Sequence, residues 1–338
     1  MTKQKGVDYS FRLKLGCFIQ VIVFFSMTLS VLLPKNWTHF YFAFVMFNVL
    51  ISAVGACLAQ VGIIALVNIQ GSLYANANVV GNALAGVLPS VSMIVAVLTN
   101  GHDTQNRAYE AAKYFLTSVA VTLTSLILLV VMERAESYST SSLHANDESC
   151  DTSTTEYVSF HHLWSLLGLV ETTIIITFSI TLAFPIFASA IESPTVDKKV
   201  FIPLVFLIWN LGDLTGRIVC AWPFFVLKTQ SKMIGYSLLR LLFIPLFLGC
   251  NIRGHGSGWI DDFFYILLQF LFGFTNGQLF SSSFMLIGQL LRTEDEKKAA
   301  GGFTALVINV SLLLGSIMSY LVVYMIGGRV SPKSFLFV

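Results

Sequence analysis

Residues 201 to 227 read FIPLVFLIWNLGDLTGRIVCAWPFFVL, an apolar run that nevertheless contains an acid and a base. A helix that crosses a bilayer needs about 20 predominantly apolar residues, and this run is long enough. Asp213 and Arg217 stand near its middle, where a charged side chain costs roughly 2.5 to 3.5 kcal/mol on insertion scales. Charged residues at that depth are rare, face the protein interior and mark a pathway or binding site. The run therefore predicts a membrane helix whose function centres on these two side chains.

The composition of the whole chain indicates a membrane protein. Of its 338 residues, 55% are hydrophobic and 11% are charged, and the mean hydropathy is +0.77. A soluble domain has about 25% charged residues, so most of this surface is not adapted to water and the lipid bilayer is the expected partner. The net charge is only +2 and no Lys/Arg-rich block occurs, which argues against nucleic acid as a partner.

Nine apolar segments are long enough to span a bilayer, and together they predict an all-α polytopic bundle. They cover residues 11–33, 39–67, 77–99, 111–132, 164–191, 201–227, 233–250, 259–290 and 300–326. Short links between most of them are typical of antiparallel neighbouring helices. Lys and Arg are slightly more frequent in the loops on the side of the N-terminus, which predicts a cytoplasmic N-terminus.

Residues 133 to 163 form the one long polar interruption, rich in Ser, Thr and acidic residues. Such a composition buries too little apolar surface to offset the entropy of the chain, so it predicts a flexible cytoplasmic linker. The chain would then consist of an N-terminal helical bundle over residues 1–132, the linker, and a C-terminal helical bundle over residues 164–338. The first bundle would contain four spans and the second five.

The polar residues of the central run suggest a binding function. Asp213 and Arg217 are four residues apart, so they share a helix face, and the order acid then base favours an ion pair. An Asp offers acceptors to sugar hydroxyls while a guanidinium supplies a fork of donors. The alternative is a neutralised pair that only locks two helices. Asn210 adds a further polar group, and Gly216 keeps the surrounding surface small enough for close packing or for a ligand.

Other spans carry isolated polar groups. Gln60 has the donors and acceptors that suit the edge of a heterocyclic base, although an interhelical hydrogen bond explains it equally well. The third span contains Gly81, Asn82 and Gly86 in a small-residue pattern that primarily indicates packing.

Two further charged residues lie in apolar surroundings, Glu171 in the fifth span and Arg240 in the seventh. Each needs a partner or water, and the sequence does not decide whether they pair with each other. A structural or gating role near a helix end is favoured for Arg240. Asn276 lies in the stretch GFTNG at residues 273–277, which predicts a bend or a close approach to a cavity. Pro185 predicts a kink in the fifth span.

Signals of enzymatic chemistry are missing from the sequence. It contains no His-Glu-x-x-His and no glycine-rich phosphate loop, and no pair of its five cysteines has metal-ligand spacing. The sequence therefore predicts neither an enzyme nor a bound cofactor or metal.

Several motifs together resemble the equilibrative nucleoside transporter family. Residues 209 to 217, WNLGDLTGR, match the family signature Phe-Asn-x-x-Asp-x-x-Gly-Arg except at the first aromatic. Residues 240–245, RLLFIP, and 274–277, FTNG, look like parts of the next two family helices, and the motifs occur in the family's order. Family members have eleven helices in a major-facilitator-like arrangement of six plus five. The resemblance thus leads us to expect that the first two helices are absent from this chain.

The resemblance also implies roles for individual residues. Asp213 and Arg217 would hold the ribose hydroxyls, and Gln60 would face the nucleobase. Gly81 falls at a family glycine where added bulk would disturb the pathway. Asn82 stands where the family commonly has glutamine, so the preference for bases is expected to differ.

The resulting hypothesis is a monomeric transporter of nucleosides that works by alternating access, with nucleobases left open as further substrates. Facilitated diffusion is the expected mode, while proton coupling stays open because Asp213 or Glu171 would titrate if desolvated. The membrane would be the plasma membrane or one of vacuolar or lysosomal type. The competing hypotheses are a non-transporting fragment or membrane scaffold derived from such a transporter, and an intramembrane hydrolase.

Overall fold

The computed structural model of the chain describes residues 8–32, 38–99, 104–144, 157–252 and 262–327. Within these ranges the structure is helical, apart from one isolated antiparallel bridge between Ile191 and Ile252. The helices are α1 Tyr9–Leu32, α2 Thr38–Gln70, α3 Ser72–Thr99, α4 Thr104–His144, α5 Phe160–Thr181, α6 Phe184–Ala190, α7 Lys198–Val219, α8 Gln230–Leu239, α9 Phe243–Leu248, α10 Asp262–Leu290 and α11 Glu294–Gly327.

The predicted all-α membrane fold is confirmed, with nine candidate spans found in the described part of the chain. Two of these spans are broken. The fifth consists of α5 and α6, and the break falls just before Pro185, whose ring cannot continue the helical hydrogen bonds. The seventh consists of α8 and α9, joined by a 3-10 turn at Arg240–Leu242. The sixth, α7, ends at Val219 rather than at the predicted residue 227, because Pro223 disfavours helix in the residue before it.

The polar segment that begins at residue 133 is partly helical, which differs from the predicted linker. Helix α4 continues to His144, and α5 already begins at Phe160. Glu133 explains how the extension starts, because it accepts a hydrogen bond from Ser10 and forms an ion pair of 2.5 Å with Lys14 on α1. Residues 145–156 of the predicted linker lie outside the described residues.

Contacts between helices divide the chain into two compact units. The first comprises residues 1–66 and 102–158, and within it Gln20 of α1 and Ser52 of α2 exchange two hydrogen bonds. The second comprises residues 67–101 and 159–338, and it contains α3 together with α5 to α11. The predicted division into bundles at residues 133–163 stays a prediction.

Helices α7 and α10 pack backbone to backbone in the second unit. Each contributes two glycines four residues apart, and a Cβ on any of them would collide with the carbonyl oxygen of the other helix. The contacts are Gly212 with Phe270, Gly216 with Phe274, Gly273 with Trp209 and Gly277 with Asp213. Helix α10 runs unbroken through residues 273–277, and the predicted bend or approach to a cavity stays a prediction. The glycines there serve contact with α7, and this contact brings Asp213 next to α10.

Candidate functional site

A buried ion pair lies on the face of α7 that packs against its neighbours. Arg217 Nη2 lies 2.8 Å from Asp213 Oδ2, and the two residues are only 8% and 3% exposed. The i,i+4 spacing in an unbroken helix produces this geometry, as the sequence predicts. A pair so deeply buried carries a large desolvation cost, which good geometry and further hydrogen bonds must offset.

Asp213 receives that support from α10. Asn276 Nδ2 donates to Asp213 Oδ1 over 2.6 Å, so both carboxylate oxygens have a donor. The amide oxygen of Asn276 in turn accepts from Thr181 Oγ1 at the end of α5, over 2.7 Å. This orientation of the amide is the one that gives both of its ends a complementary partner. Asn276 therefore joins α5, α7 and α10 at a single carboxylate.

Arg217 makes two further contacts, and one of its nitrogens has no hydrogen-bond partner. Its Nη1 donates to the backbone carbonyl of Val79 on α3 over 2.6 Å. Its guanidinium carbon lies 4.7 Å from the centre of the Phe280 ring, within the range of a cation–π contact. Its Nε is buried and has no hydrogen-bond partner among the described residues. Arg217 thus ties α7 to α3 and keeps one donor free.

Arg240 extends the polar network on the other side of Asn276. It is 1% exposed and donates from Nη2 to Thr181 Oγ1 and from Nε to Thr275 Oγ1, both over 3.2 Å. It also donates to the carbonyl oxygens of Thr177 and Phe272, over 3.2 and 3.3 Å. All of these acceptors are neutral. Thr181 and Asn276 therefore form the link between the Arg240 cation and the Asp213 carboxylate.

The pairing of Arg240 with Glu171, which the sequence left open, is not present. Glu171 instead accepts a hydrogen bond from Thr304 on α11 over 2.6 Å. Arg240 lies at the junction of α8 with the 3-10 turn, a break in the seventh span. Its structural or gating role stays a prediction.

Asn210 lies one turn before Asp213 and serves the contact between α7 and α3. Its Nδ2 donates to Ser90 Oγ over 2.9 Å and to the carbonyl of Phe206 over 2.8 Å. A Cβ on Gly86 would lie 2.5 Å from Asn210 Oδ1, so the small residue on α3 makes room for the amide. This is the packing that the small-residue pattern of the third span predicts.

In the described part of the chain, no side-chain hydrogen bond joins the remaining residues singled out in the sequence to this cluster. Gln60 is half-buried in the part of α2 that belongs to the other unit, and it forms no hydrogen bond with the described residues. Gly81 and Asn82 are exposed on α3, and a Cβ on Gly81 would meet nothing within 4 Å. Gly216 packs on the α10 backbone rather than lining open space.

The sequence reasoning missed Thr181, Val79 and Phe280. Thr181 is a hydroxyl in an apolar helix, and such hydroxyls usually bond to the carbonyl four residues earlier, as this one also does with Thr177. The Val79 carbonyl and the Phe280 ring leave no signal in a sequence, because their roles depend only on which helices are neighbours.

The cluster is suited to holding hydroxyl groups rather than to bond-breaking chemistry. It presents a carboxylate, a guanidinium fork and an amide, with no nucleophile placed next to a base. No group of three or more metal-ligating side chains occurs in the described ranges. The Val79 carbonyl occupies Nη1, so a ligand would bind the guanidinium at that nitrogen only by replacing this carbonyl.

Comparison with known proteins identifies related sequences. The nucleoside transporter family matches residues 45–156 and 136–324. Nucleoside transporter FUN26 of Saccharomyces cerevisiae is 35% identical over 379 residues, covering 96% of this chain and 72% of the relative. Equilibrative nucleoside transporter 1 of Homo sapiens is 25% identical, covering 91% and 74%, and Equilibrative nucleotide transporter 1 of Arabidopsis thaliana is 26% identical, covering 92% and 71%.

The matches to these relatives each cover more than nine tenths of the chain, and the residues matched by the family model span α7 and α10. The family is one of transporters and not of enzymes, as the sequence predicts. This multi-pass integral membrane protein belongs to the nucleoside transporter family.

Proposed function

We propose that this protein carries nucleosides across a membrane by alternating access, with Asp213 and Arg217 holding the ribose hydroxyls. The observation that carries the proposal is the buried Asp213–Arg217 pair, which is bonded to two neighbouring helices and has a donor to spare at Arg217 Nε. Vicinal hydroxyls both donate and accept, so they match a carboxylate beside a guanidinium.

The bond from Arg217 to the Val79 carbonyl suggests how binding and closure are linked. In a cycle of alternating access, α3 of the N-terminal bundle and α7 of the C-terminal bundle must change their contact. A ribose hydroxyl at Nη1 would replace the Val79 carbonyl, so that the guanidinium keeps its hydrogen bonds while the helices separate. Without substrate, opening would leave a buried charge with fewer partners, which is costly.

The residues proposed to recognise the base are chosen from the resemblance to the family. Gln60 would meet the edge of the nucleobase, and Asn82 and Gly81 would shape the pathway beside it. Asn210, Asn276 and Gly216 would support the site by holding α7 against its neighbours, and Arg240 would do so by joining α5 to α10. The substitution Gln60→Ala is expected to alter the preference between purine and pyrimidine nucleosides while leaving the ribose requirement intact.

Facilitated diffusion is the mode that the nucleoside site favours. Arg217 neutralises Asp213 in this conformation, so the site itself presents no unpaired acid to carry a proton with each substrate. The protein would act as a monomer in the plasma membrane or in a membrane of vacuolar or lysosomal type.

A non-transporting scaffold is the second candidate, and one observation favours it. The side chains of Asp213, Asn276 and Arg240 all have protein groups as hydrogen-bond partners. A cluster with a purely structural role would have the same kind of partners.

Uptake of radiolabelled adenosine and uridine into proteoliposomes separates the two candidates. We expect saturable uptake by the wild-type protein and its loss in Arg217→Ala, with an imposed proton gradient producing no accumulation beyond equilibrium. The matched control is Lys298→Ala, which breaks an i,i+4 pair with Glu294 on α11. Equal uptake by folded wild type and Arg217→Ala would refute the assigned site, and no uptake by folded wild type would favour the scaffold.

A further inference from the structure

Glu171 is a completely buried acid that the nucleoside site does not use. It lies within the fifth span and is 0% exposed. Its Oε1 receives a hydrogen bond from Thr304 Oγ1 of α11 over 2.6 Å. Its Oε2 is buried and has no partner among the described residues.

The helices packed around α5 provide no counter-charge for Glu171. On α8 and the following turn, Tyr236 donates its hydroxyl to Gln278, and Arg240 uses its donors on the four neutral acceptors described above. Between its first residue, Asp262, and Leu290, α10 carries Tyr265 as its only titratable side chain, and this tyrosine accepts a hydrogen bond from Gln269.

Helix α11 carries its charges at its start, well before Thr304. Lys298 pairs with Glu294, and Glu296 pairs with His162 of α5. Lys297 lies two helical turns before Thr304 and forms no ion pair with Glu171 in the part of the chain that the structure describes. The carboxyl group of Glu171 is thus surrounded by neutral groups.

An ionised carboxylate in these surroundings would be a buried charge without a cation and with one oxygen unbonded, which is strongly unfavourable. The neutral acid fits the same 2.6 Å contact with the direction of the hydrogen bond reversed, because a protonated Oε1 can donate to Thr304 Oγ1 and Oε2 is then an uncharged carbonyl oxygen. We propose that Glu171 is a proton-binding site, distinct from the nucleoside site, and that its bound proton stabilises the packing of α5 against α11 in this conformation. The carboxylate gains one proton from water when the site forms and returns it when the site opens.

The effect on transport rests on the proposed function. Raising the pH empties the proton site and disfavours this conformation, so the rate of nucleoside uptake should fall on the alkaline side. For a single ionising group the occupied fraction falls roughly tenfold per pH unit beyond its midpoint. Glu171→Gln keeps the shape of the neutral acid and cannot titrate, so its uptake should be retained and should lose that dependence.

Infrared difference spectroscopy of the purified full chain tests proton binding without reference to transport. At neutral pH we expect a protonated-carboxyl band in the wild type that is absent in Glu171→Gln and shifted in Thr304→Val, which removes only the hydroxyl partner. Glu192→Gln is the control, because Glu192 is a partly exposed partner of Lys198 outside the spans and its substitution should leave the band unchanged. A wild-type spectrum without this band, or a band unaffected by both Glu171→Gln and Thr304→Val, would overturn the proton site.

The pH profile of uridine uptake in proteoliposomes then tests the consequence. We expect a decline at alkaline pH in the wild type and in Glu192→Gln, and a flat profile in Glu171→Gln. Superimposable profiles of wild type and Glu171→Gln would overturn the link between proton and transport. Absence of saturable uptake by the wild type at every pH would refute the proposed function instead, and the infrared result would still decide whether Glu171 binds a proton.

Discussion

Asp213 has both carboxylate oxygens occupied, one by Arg217 and the other by Asn276. The spacing in the sequence predicts the first of these contacts, since residues four apart in a helix are neighbours. The second could not be predicted in geometry, because Asn276 follows 63 residues later and reaches Asp213 only through the packing of α7 on α10. Asn276 was recognisable in the sequence only as a polar group in an apolar span.

Asn276→Ala tests whether the amide orients the carboxylate for substrate. The change leaves one buried oxygen of Asp213 without its donor, which costs about 1 to 3 kcal/mol. We expect KM for uridine to rise by roughly fivefold to a hundredfold, measured as concentration-dependent uptake at equal amounts of folded protein. Asn309→Ala is the control, because that amide is exposed and bonds only to Ala305 of its own helix. An unchanged KM in Asn276→Ala would show that Asp213 needs no support from α10.

Arg217→Lys tests whether geometry or charge alone is required. A lysine retains the charge but presents a single ammonium, so it cannot reproduce the fork that reaches both Asp213 and the Val79 carbonyl. One lost charge-assisted hydrogen bond is worth about 1.5 to 3 kcal/mol, so uptake efficiency should fall by roughly tenfold or more. The reciprocal control Lys298→Arg on α11 should leave uptake unchanged. Full activity in Arg217→Lys would mean that only the positive charge is needed.

At the scale of helices, the sequence predicts which segments are apolar far better than where they break. All nine spans were predictable because their lengths are set by bilayer thickness. The break before Pro185 was also predictable, since proline cannot donate the required hydrogen bond. The GFTNG stretch on α10 did not reveal its contact with α7 in advance, because glycine four residues from glycine indicates close packing as readily as flexibility.

Gly277→Ala and Gly216→Ala test the backbone contact between α7 and α10. Each added methyl would meet a carbonyl oxygen that cannot move aside without separating the helices. Overpacking costs about 1 to 3 kcal/mol, so we expect a clearly lower melting temperature of the detergent-solubilised protein for each variant. Gly302→Ala and Gly235→Ala are controls in helices where a Cβ meets nothing within 4 Å. Those two should melt at or above the wild-type temperature, because alanine favours helix over glycine. Equal melting of all four variants would show that the contact is not tight.

At the scale of the whole molecule, composition and hydropathy determine the class of protein, and the α7 motif determines the family. What the sequence could not provide is the neighbourhood of each polar group. Glu171 and Arg240 have opposite charges and could have formed a pair, yet the packing of α5 against α11 gives Glu171 a threonine as its partner instead. That outcome depends on which faces of four helices meet, and no local pattern encodes it.

The most direct test of the central claim is counterflow of uridine in proteoliposomes loaded with unlabelled uridine. In a carrier that works by alternating access, labelled uridine enters in exchange for the unlabelled uridine inside. The labelled uridine inside the vesicles should therefore rise transiently above its equilibrium level. We predict this overshoot for the wild type and for the Glu294→Ala, Lys298→Ala double variant, and none for the Asp213→Ala, Arg217→Ala double variant. Both double variants remove an i,i+4 ion pair, one buried and one exposed. An overshoot of wild-type size without Asp213 and Arg217, or none with folded wild-type protein, would contradict the account.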